Sequence, residues 1–209
     1  MEILFNNSSI VVCIKPAGVA SQASDMDNMV KKLSDELQCE IYPVHRLDTV
    51  TSGVMVYAKT KKAAAFLSNE ISQNKFKKEY VAAVHGSVLP KEGIMEDFLF
   101  KDSRKNKSFV VKRERKGVKK ASLEYKVIEE RNGLSLVRIK LHTGRTHQIR
   151  VQFSSRKHPV FGDGKYGASD NVPFIALFSS ALTFTEPESG KEMTFEGQIP
   201  PWDFFFNGN

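Results

Sequence analysis

The chain has 209 residues, 41% of them hydrophobic and 26% charged, and 31 Lys and Arg against 24 Asp and Glu give a formal net charge of +7. This composition excludes a disordered chain, and the length excludes a large multidomain assembly; we expect one domain over residues 1–209. Two cysteines without ligand spacing exclude a disulfide framework, and an acidic N-terminus without a long apolar run excludes a signal peptide or membrane span. We therefore expect a cytoplasmic protein.

The first half of the chain alternates between short apolar runs and helical patterns. The β-branched run before Pro16 indicates a strand, and Thr60 can cap a helix whose apolar residues share one face. A loop rich in hydroxyl groups spans Tyr42 to Gly53. The predicted elements are a strand over 10–15, a helix over 26–38, a strand over 54–59, a helix over 60–74 and a strand over 79–85.

The second half is mostly β. Strand-like runs over 121–129 and 134–142 flank Asn132-Gly133, which is a strong hairpin signal. A helix is predicted over 146–153 and a buried strand over 173–185. With few helices and no regular β-α-β alternation, the pattern predicts an α+β fold on a mixed, largely antiparallel sheet.

The positive charge is concentrated between Lys101 and Lys120, where ten Lys and Arg stand against Asp102 and Glu114. Clustered positive charge favours a phosphate-rich partner, because each neutralised phosphate releases counterions. A solvated hairpin that keeps the protein soluble is an equally good explanation on charge alone. Phe109-Val110-Val111 within the cluster predicts a β-ribbon.

Three familiar motifs are excluded by their context. Gly162 to Gly167 fits G-x-G-x-x-G, but it lacks the preceding strand and following helix of a dinucleotide site, so we predict a tight loop and no nucleotide cofactor. His142 and His147 have no third ligand nearby in sequence, so no metal is expected. Ser52 lacks the G-x-S-x-G elbow of a serine hydrolase.

Two segments carry groups suited to chemistry. In His45 to Gly53, Asp48 lies beside a cation and could act as a nucleophile or base, although composition alone favours an Asp that only caps its own turn. His142 to Arg150 concentrates cationic and amide groups suited to phosphates and base edges, although a polar helix start is the simpler explanation.

Together these segments closely resemble the signatures of the RluA-type pseudouridine synthases. The resemblance covers about residues 10 to 185 and rests on several motifs in the family's order. They are Lys15-Pro-x-Gly18, His45-Arg-Leu-Asp-x-x-Thr-Ser-Gly53, Lys78-Glu-Tyr80 with Val84-His-Gly86, Thr143-Gly-Arg-Thr-His-Gln-Ile-Arg150, His158-Pro-Val-Phe-Gly-Asp163 and Tyr166-Gly167. Many family members carry a small N-terminal RNA-binding domain, whereas this chain starts almost directly with the first predicted strand, so we expect no such separate domain.

The resemblance implies that the chain isomerises uridine in RNA from an N-glycoside to a C-glycoside, without cofactor or metal, on a base flipped into a pocket. It implies that Asp48 is the nucleophile or base and that Arg145 pairs with Asp48. Tyr80 would stack on the uracil or help to remove the proton from the carbon that forms the new glycosidic bond, and stacking is favoured because a phenol is a poor base at neutral pH. Arg46 would fill the gap left by the base or grip a phosphate. The other residues expected to contact RNA are Lys15, His45, Thr51, Lys105, Lys107, Lys112, Arg113, His147, Gln148 and Arg150.

Two other functions compete with this interpretation. A non-catalytic RNA-binding module could lose Asp48, which is present here. A glycoside or nucleoside hydrolase needs two carboxylates, and no second acid lies near Asp48 in sequence. We expect a monomer that acts on a stem-loop of ribosomal RNA, transfer RNA or both, and the motifs do not separate these substrates.

Overall fold

The computed structural model describes residues 1–22, 27–202 and 205. In chain order, the elements are β1 (Ile3–Asn6), β2 (Ile10–Lys15), α1 (Met29–Leu37), β3 (Tyr42–Pro43), β4 (Ser52–Ala58), α2 (Lys61–Ser72), β5 (Lys77–His85), β6 (Glu92–Asp102), β7 (Lys107–Val111), β8 (Val118–Arg131), β9 (Leu134–Leu141), α3 (Gln148–Ser155), a 3-10 turn (Gly164–Tyr166), β10 (Leu177–Thr185) and β11 (Glu192–Glu196). The chain divides into two compact units. The first unit is Met1–Lys78 with Phe178–Ile199, and the second unit is Glu79–Leu177 with Pro200–Asn209.

The first unit is built on a mixed sheet. Its strands lie in the order β1, β2, β4, β10 and β11, and β3 also pairs with β4. β4 and β10 run parallel, through the pairs Ser52–Phe178 and Gly53–Ser179, and the other pairings within this unit are antiparallel. Inward residues of these strands pack with α2 into one core, which includes Ile10, Val12, Val54, Val56, Leu67, Phe184 and Phe195.

The two helices of the first unit begin at side-chain caps. The Thr60 hydroxyl accepts from the amide of Ala63 at 3.1 Å, which confirms the predicted cap of α2. Asn28 caps α1 in the same way, so this helix begins at Met29, three residues later than predicted; the predicted start, Met26, lies outside the described residues. Among the residues described, no helix is long and apolar enough to cross a membrane.

The second unit contains a second run of strands, in the order β5, β9, β8, β6 and β7. The β8–β9 hairpin turns at Asn132 and Gly133, whose φ angles of 54° and 72° are those of a type I′ turn, so the hairpin predicted from Asn-Gly is confirmed. The β6–β7, β6–β8 and β8–β9 pairings are all antiparallel. The predicted α+β fold on a mixed, largely antiparallel sheet is confirmed.

The positively charged stretch is a β-ribbon, as predicted. β6 and β7 pair from Phe98–Val111 to Asp102–Lys107, and the turn between them is tied to the Asp102 carboxylate, which accepts from the amides of Arg104 and Lys105. Sequence patterns had not indicated β6. One face of this ribbon packs on α3 through Leu99, Val110, Ala121, Val151 and Tyr166.

Candidate active site

Asp48 lies in a loop of the first unit that is held on both sides of the carboxylate. On one side, Ser21 binds Leu47 twice: its hydroxyl donates to the Leu47 carbonyl at 2.6 Å and accepts from the Leu47 amide at 3.0 Å. On the other side, the carbonyl of Thr49 accepts from the Lys15 ammonium at 3.1 Å. The partly exposed Asp48 side chain is therefore presented from a backbone that has little freedom to move.

Lys15 acts inside this loop rather than on its surface. The side chain is fully buried, and its ammonium group also donates to the carbonyls of Pro16 at 2.8 Å and Val19 at 2.6 Å. Burial lowers the pKa of Lys15 to about 8, and the negative charge of Asp48 acts in the opposite direction. In this structure the Lys15 ammonium is buried with three carbonyl partners, and its expected contact with the RNA backbone stays a prediction.

His45 is also a core residue. Its Nε2 accepts from the amide of Val56 at 3.2 Å, and its ring lies 5.4 Å from that of Phe76. Burial, reinforced by the positive charge of Lys78, holds the pKa of His45 well below its usual range, so the ring is neutral. Its Nδ1 has no hydrogen-bond partner within the described part of the chain. His45 is thus a buried residue packed against Val56 and Phe76, and its expected contact with RNA stays a prediction.

The remaining residues of this segment include one exposed cation, a buried threonine that closes the turn, and a glycine at its end. Arg46 is exposed, as a group that meets RNA must be. Thr51 is 2% exposed, and its amide donates to the Asp48 carbonyl at 3.0 Å, which closes the turn. Gly53 ends the segment with a φ of 123°, and a Cβ there would lie 2.3 Å from the carbonyl oxygen of Ser179, so only glycine fits this close pairing of β4 with β10.

Tyr80 lies on β5 in the second unit and is 6% exposed. The residues that follow it, from Val81 to Val84, are buried as well. A ring this well covered cannot act as a surface contact. The stacking of Tyr80 on a flipped base stays a prediction.

Arg145 is exposed, and the loop that carries it is fixed by Gln148. The buried Gln148 side chain accepts from the Arg145 amide at 3.0 Å and from the Thr143 hydroxyl at 2.7 Å, and it donates to the Ser122 carbonyl at 3.1 Å. The Arg145 guanidinium donates through Nε to the Lys120 carbonyl at 2.9 Å. Gln148, expected to contact RNA, is used here to position the loop.

His147 joins this loop to the β-ribbon through Tyr166. The Tyr166 hydroxyl lies 2.9 Å from His147 Nδ1 and accepts from the Ser108 amide at 2.8 Å. The Ser108 hydroxyl donates to the Thr146 carbonyl at 2.7 Å. His147 is 8% exposed and ties β7 to the start of α3, and its predicted contact with RNA stays a prediction.

Arg150 forms a buried ion pair with Asp163. Its Nε and Nη2 donate to the two carboxylate oxygens at 2.6 Å and 2.8 Å, and both side chains are at most 5% exposed. The guanidinium also lies 5.1 Å from the centre of the Tyr166 ring. The charge of Arg150 is therefore paired in the interior of this structure, and its predicted phosphate contact stays a prediction.

The predicted RNA contacts in the ribbon lie where solvent reaches them. Lys105, Lys112 and Arg113 are exposed or partly exposed. Lys107 is partly buried, since its ammonium donates to the Lys165 carbonyl at 2.5 Å and lies 4.9 Å from the Tyr166 ring.

The part of the chain that the structure describes contains no group of three His, Cys, Asp or Glu side chains able to hold a metal ion.

Sequence reasoning missed the residues that hold these segments in place. Ser21 and Ser108 lie outside every motif of the resemblance, and a serine in a polar stretch has no pattern that marks it. Asp163 and Tyr166 stand inside those motifs, yet their contacts follow from the fold alone.

Comparison with known proteins agrees with the motifs. The model of the family described as RNA pseudouridylate synthase matches residues 9–155. The dual-specificity RNA pseudouridine synthase RluA of Escherichia coli K12 is 35% identical over 98% of this chain and 94% of its own, and the uncharacterized RNA pseudouridine synthase YhcT of Bacillus subtilis is 32% identical over 96% and 69%. The solved structure of human RNA Pseudouridylate Synthase Domain Containing 1 shares the fold, with a TM-score of 0.82 at 23% identity over 100% of this chain and 86% of its own. The chain belongs to the RNA pseudouridylate synthase family.

Proposed function

We propose that this RNA pseudouridine synthase uses Asp48 to start the isomerisation of uridine in structured RNA. The observation that carries the proposal is the Asp48 loop, in which both flanking residues are held by buried side chains while the carboxylate itself stays partly exposed. A nucleophile or base must be aimed before the substrate arrives, because misplacement costs rate. A capping Asp needs no such support from a buried cation.

In the proposed reaction, the bond between the sugar C1′ and the uracil N1 breaks, the base turns, and a bond from C1′ to C5 forms. C5 then loses its proton and N1 gains one, so the reaction needs no oxidant, reductant or second substrate. Asp48 acts by attack on the sugar, by attack on the ring, or as a base in an elimination, and these routes stay open. No cofactor enters any of them.

Three further side chains have proposed roles around the base. Arg145 pairs with Asp48 and aims the carboxylate; the way Gln148 fixes the Arg145 backbone supports a positioned guanidinium. Tyr80 stacks on the flipped uracil, which its burial supports. Arg46, exposed and close to Asp48 in sequence, occupies the space that the base leaves or grips a flanking phosphate.

The proposed substrate is a stem-loop of ribosomal RNA, transfer RNA or both. The exposed cations of the β-ribbon support a polyanionic partner, and the name of the Escherichia coli relative includes dual specificity. We place the enzyme in the cytoplasm, and its two free cysteines support that compartment. We also propose that it acts as a monomer.

The test is Asp48→Asn, with Asp35→Asn as the matched control, since Asp35 is an exposed acid of the same unit on α1. Turnover is measured as release of tritium from bulk RNA labelled at uridine C5, and RNA binding is measured in parallel. We expect Asp48→Asn to abolish release while binding survives, and Asp35→Asn to behave as wild type. Near wild-type release by Asp48→Asn would overturn the catalytic role of Asp48, whereas no release by the wild-type protein would favour a hydrolase-like or purely binding function.

A further inference from the structure

The β-ribbon of the second unit has an aromatic surface on the side opposite α3. Residues facing each other across antiparallel strands share a face, and the register pairs Phe100 with Phe109 and Phe98 with Lys120. Phe98 and Phe100 stand two residues apart on β6, so they also lie on one face. We call the three rings of Phe98, Phe100 and Phe109 the aromatic face. The intervening Leu99 points the other way, into the cluster against α3.

These rings are not enclosed in a core. Phe109 is 36% exposed, and Phe98 and Phe100 are half-buried. A hydrophobic residue at such a position on a solvent-facing strand gains little from folding, because much of its surface stays in water. Three of them together make an apolar patch of the kind that marks an interaction site.

Each ring of the aromatic face has a cation over it. Lys120 lies 6.0 Å from the centre of the Phe98 ring, Arg115 lies 5.3 Å from that of Phe100, and Lys107 lies 5.9 Å from that of Phe109. Rings and cations therefore alternate over one surface. A protein partner with an apolar face would have to bury these charges, whereas a polyanion would neutralise them.

We propose that the aromatic face binds unpaired nucleotides of the RNA substrate, with bases stacked on the phenyl rings and phosphates held by the neighbouring cations. Proteins that bind single-stranded RNA combine stacking on aromatic rings with a positively charged track for the backbone, and this sheet face supplies both. The proposal rests on the proposed function, and it adds that the substrate carries single-stranded nucleotides next to the stem.

The distribution of acidic and basic side chains places the bound nucleotides at one end of the aromatic face. Glu96 and Glu124 lie on the same side of the sheet towards the start of β6, where the register pairs Glu124 with Ile94. The cations lie towards the turn between β6 and β7. The phosphates therefore follow the turn end of the ribbon, and Ile94, 66% exposed near the two acids, lies outside the binding track.

The test compares ring loss with a matched apolar change. The variants are Phe109→Leu, the double variant Phe100→Leu/Phe109→Leu, and Ile94→Ala as the control on the same face. Leucine keeps an apolar side chain in the sheet but has no ring to stack on. The probe is an RNA stem-loop with a short single-stranded tail that carries 2-aminopurine, and the same stem-loop without the tail serves for comparison.

We expect Phe109→Leu to weaken binding of the tailed RNA by roughly fivefold to a hundredfold and to remove the quenching of 2-aminopurine. The slope of log affinity against log salt should not change, because the variant keeps every charge. Ile94→Ala should bind as wild type, and the tailless stem-loop should bind all variants alike. If both leucine variants bind and quench as wild type does, the rings only pack between strands and the proposal is overturned.

The failure of this proposal is separable from failure of the proposed function. Quenching and affinity are measured without turnover, so they report on the aromatic face even if Asp48→Asn keeps its activity. Conversely, if the leucine variants bind as the wild type does, only the proposal for the aromatic face fails. Tritium release from uridine C5 still tests the proposed function.

Discussion

Replacing Asp163 by Asn should destabilise the second unit strongly, because it breaks the buried pair with Arg150. Both carboxylate oxygens accept from the guanidinium, at 2.6 Å and 2.8 Å, and neither side chain is more than 5% exposed. Removing one partner of such a pair leaves an uncompensated charge in the interior and costs about 3–5 kcal/mol. That is a large share of the roughly 5–15 kcal/mol by which folded domains are stable.

The assay is urea denaturation followed by circular dichroism, with the double variant Arg150→Met/Asp163→Leu as the comparison. An apolar pair of similar volume removes both charges together, so the double variant should recover most of the stability. It also tests the role of Arg150, since its RNA binding should keep the salt slope of the wild type. The reasoning is refuted if Asp163→Asn unfolds at the wild-type urea concentration, or if the salt slope of the double variant falls by about one unit, as removal of a phosphate-binding cation would produce.

Three further results are expected. Lys15→Met should lower the free energy of unfolding by about 2 kcal/mol and reduce kcat, because the Asp48 loop loses a buried hydrogen-bond donor. A raised KM with unchanged kcat would show instead that Lys15 binds RNA. His45 is neutral when folded but binds a proton below about pH 6.5 when unfolded, so stability falls with acid by up to about 1.4 kcal/mol per pH unit. His45→Gln should flatten this slope in urea titrations, and the exposed control His142→Gln should not. Neutralising the four predicted ribbon cations together should weaken RNA binding and lower its salt slope, by about one unit for each phosphate that is no longer neutralised, and an unchanged slope would leave the ribbon a solubility device. Those cations are Lys105, Lys107, Lys112 and Arg113.

Elements with a local cause were predictable from the chain. The turn at Asn132-Gly133 needs positive φ at both residues, and the start of α2 needs the Thr60 hydroxyl, so both follow from residues close in sequence. β6 was missed because Phe98-Leu99-Phe100 is apolar on both faces and shows no alternation, although one face meets α3 and the other meets solvent. The expectation of a single domain over residues 1–209 stays a prediction.

The family and its motif residues were also accessible from sequence, and the match over residues 9–155 agrees with them. Their individual roles were less accessible. Lys15, Gln148 and Arg150 were expected on the RNA, and the structure uses all three to hold backbone or a carboxylate in the interior. The pairing of Arg145 with Asp48 stays a prediction.

The sequence by itself determined the reaction class, because a nine-residue motif around Asp48, with the further motifs in order, is too specific to arise by chance. It also located the positive charge and its β-ribbon. Only the tertiary structure decided which cations are available to RNA, burying Lys15 and Arg150 while it leaves Lys105 and Lys112 open to solvent. The physical reason is that a carbonyl, a carboxylate and a phosphate attract the same donors, so the partner that each cation meets depends on the fold around it and not on its residue type.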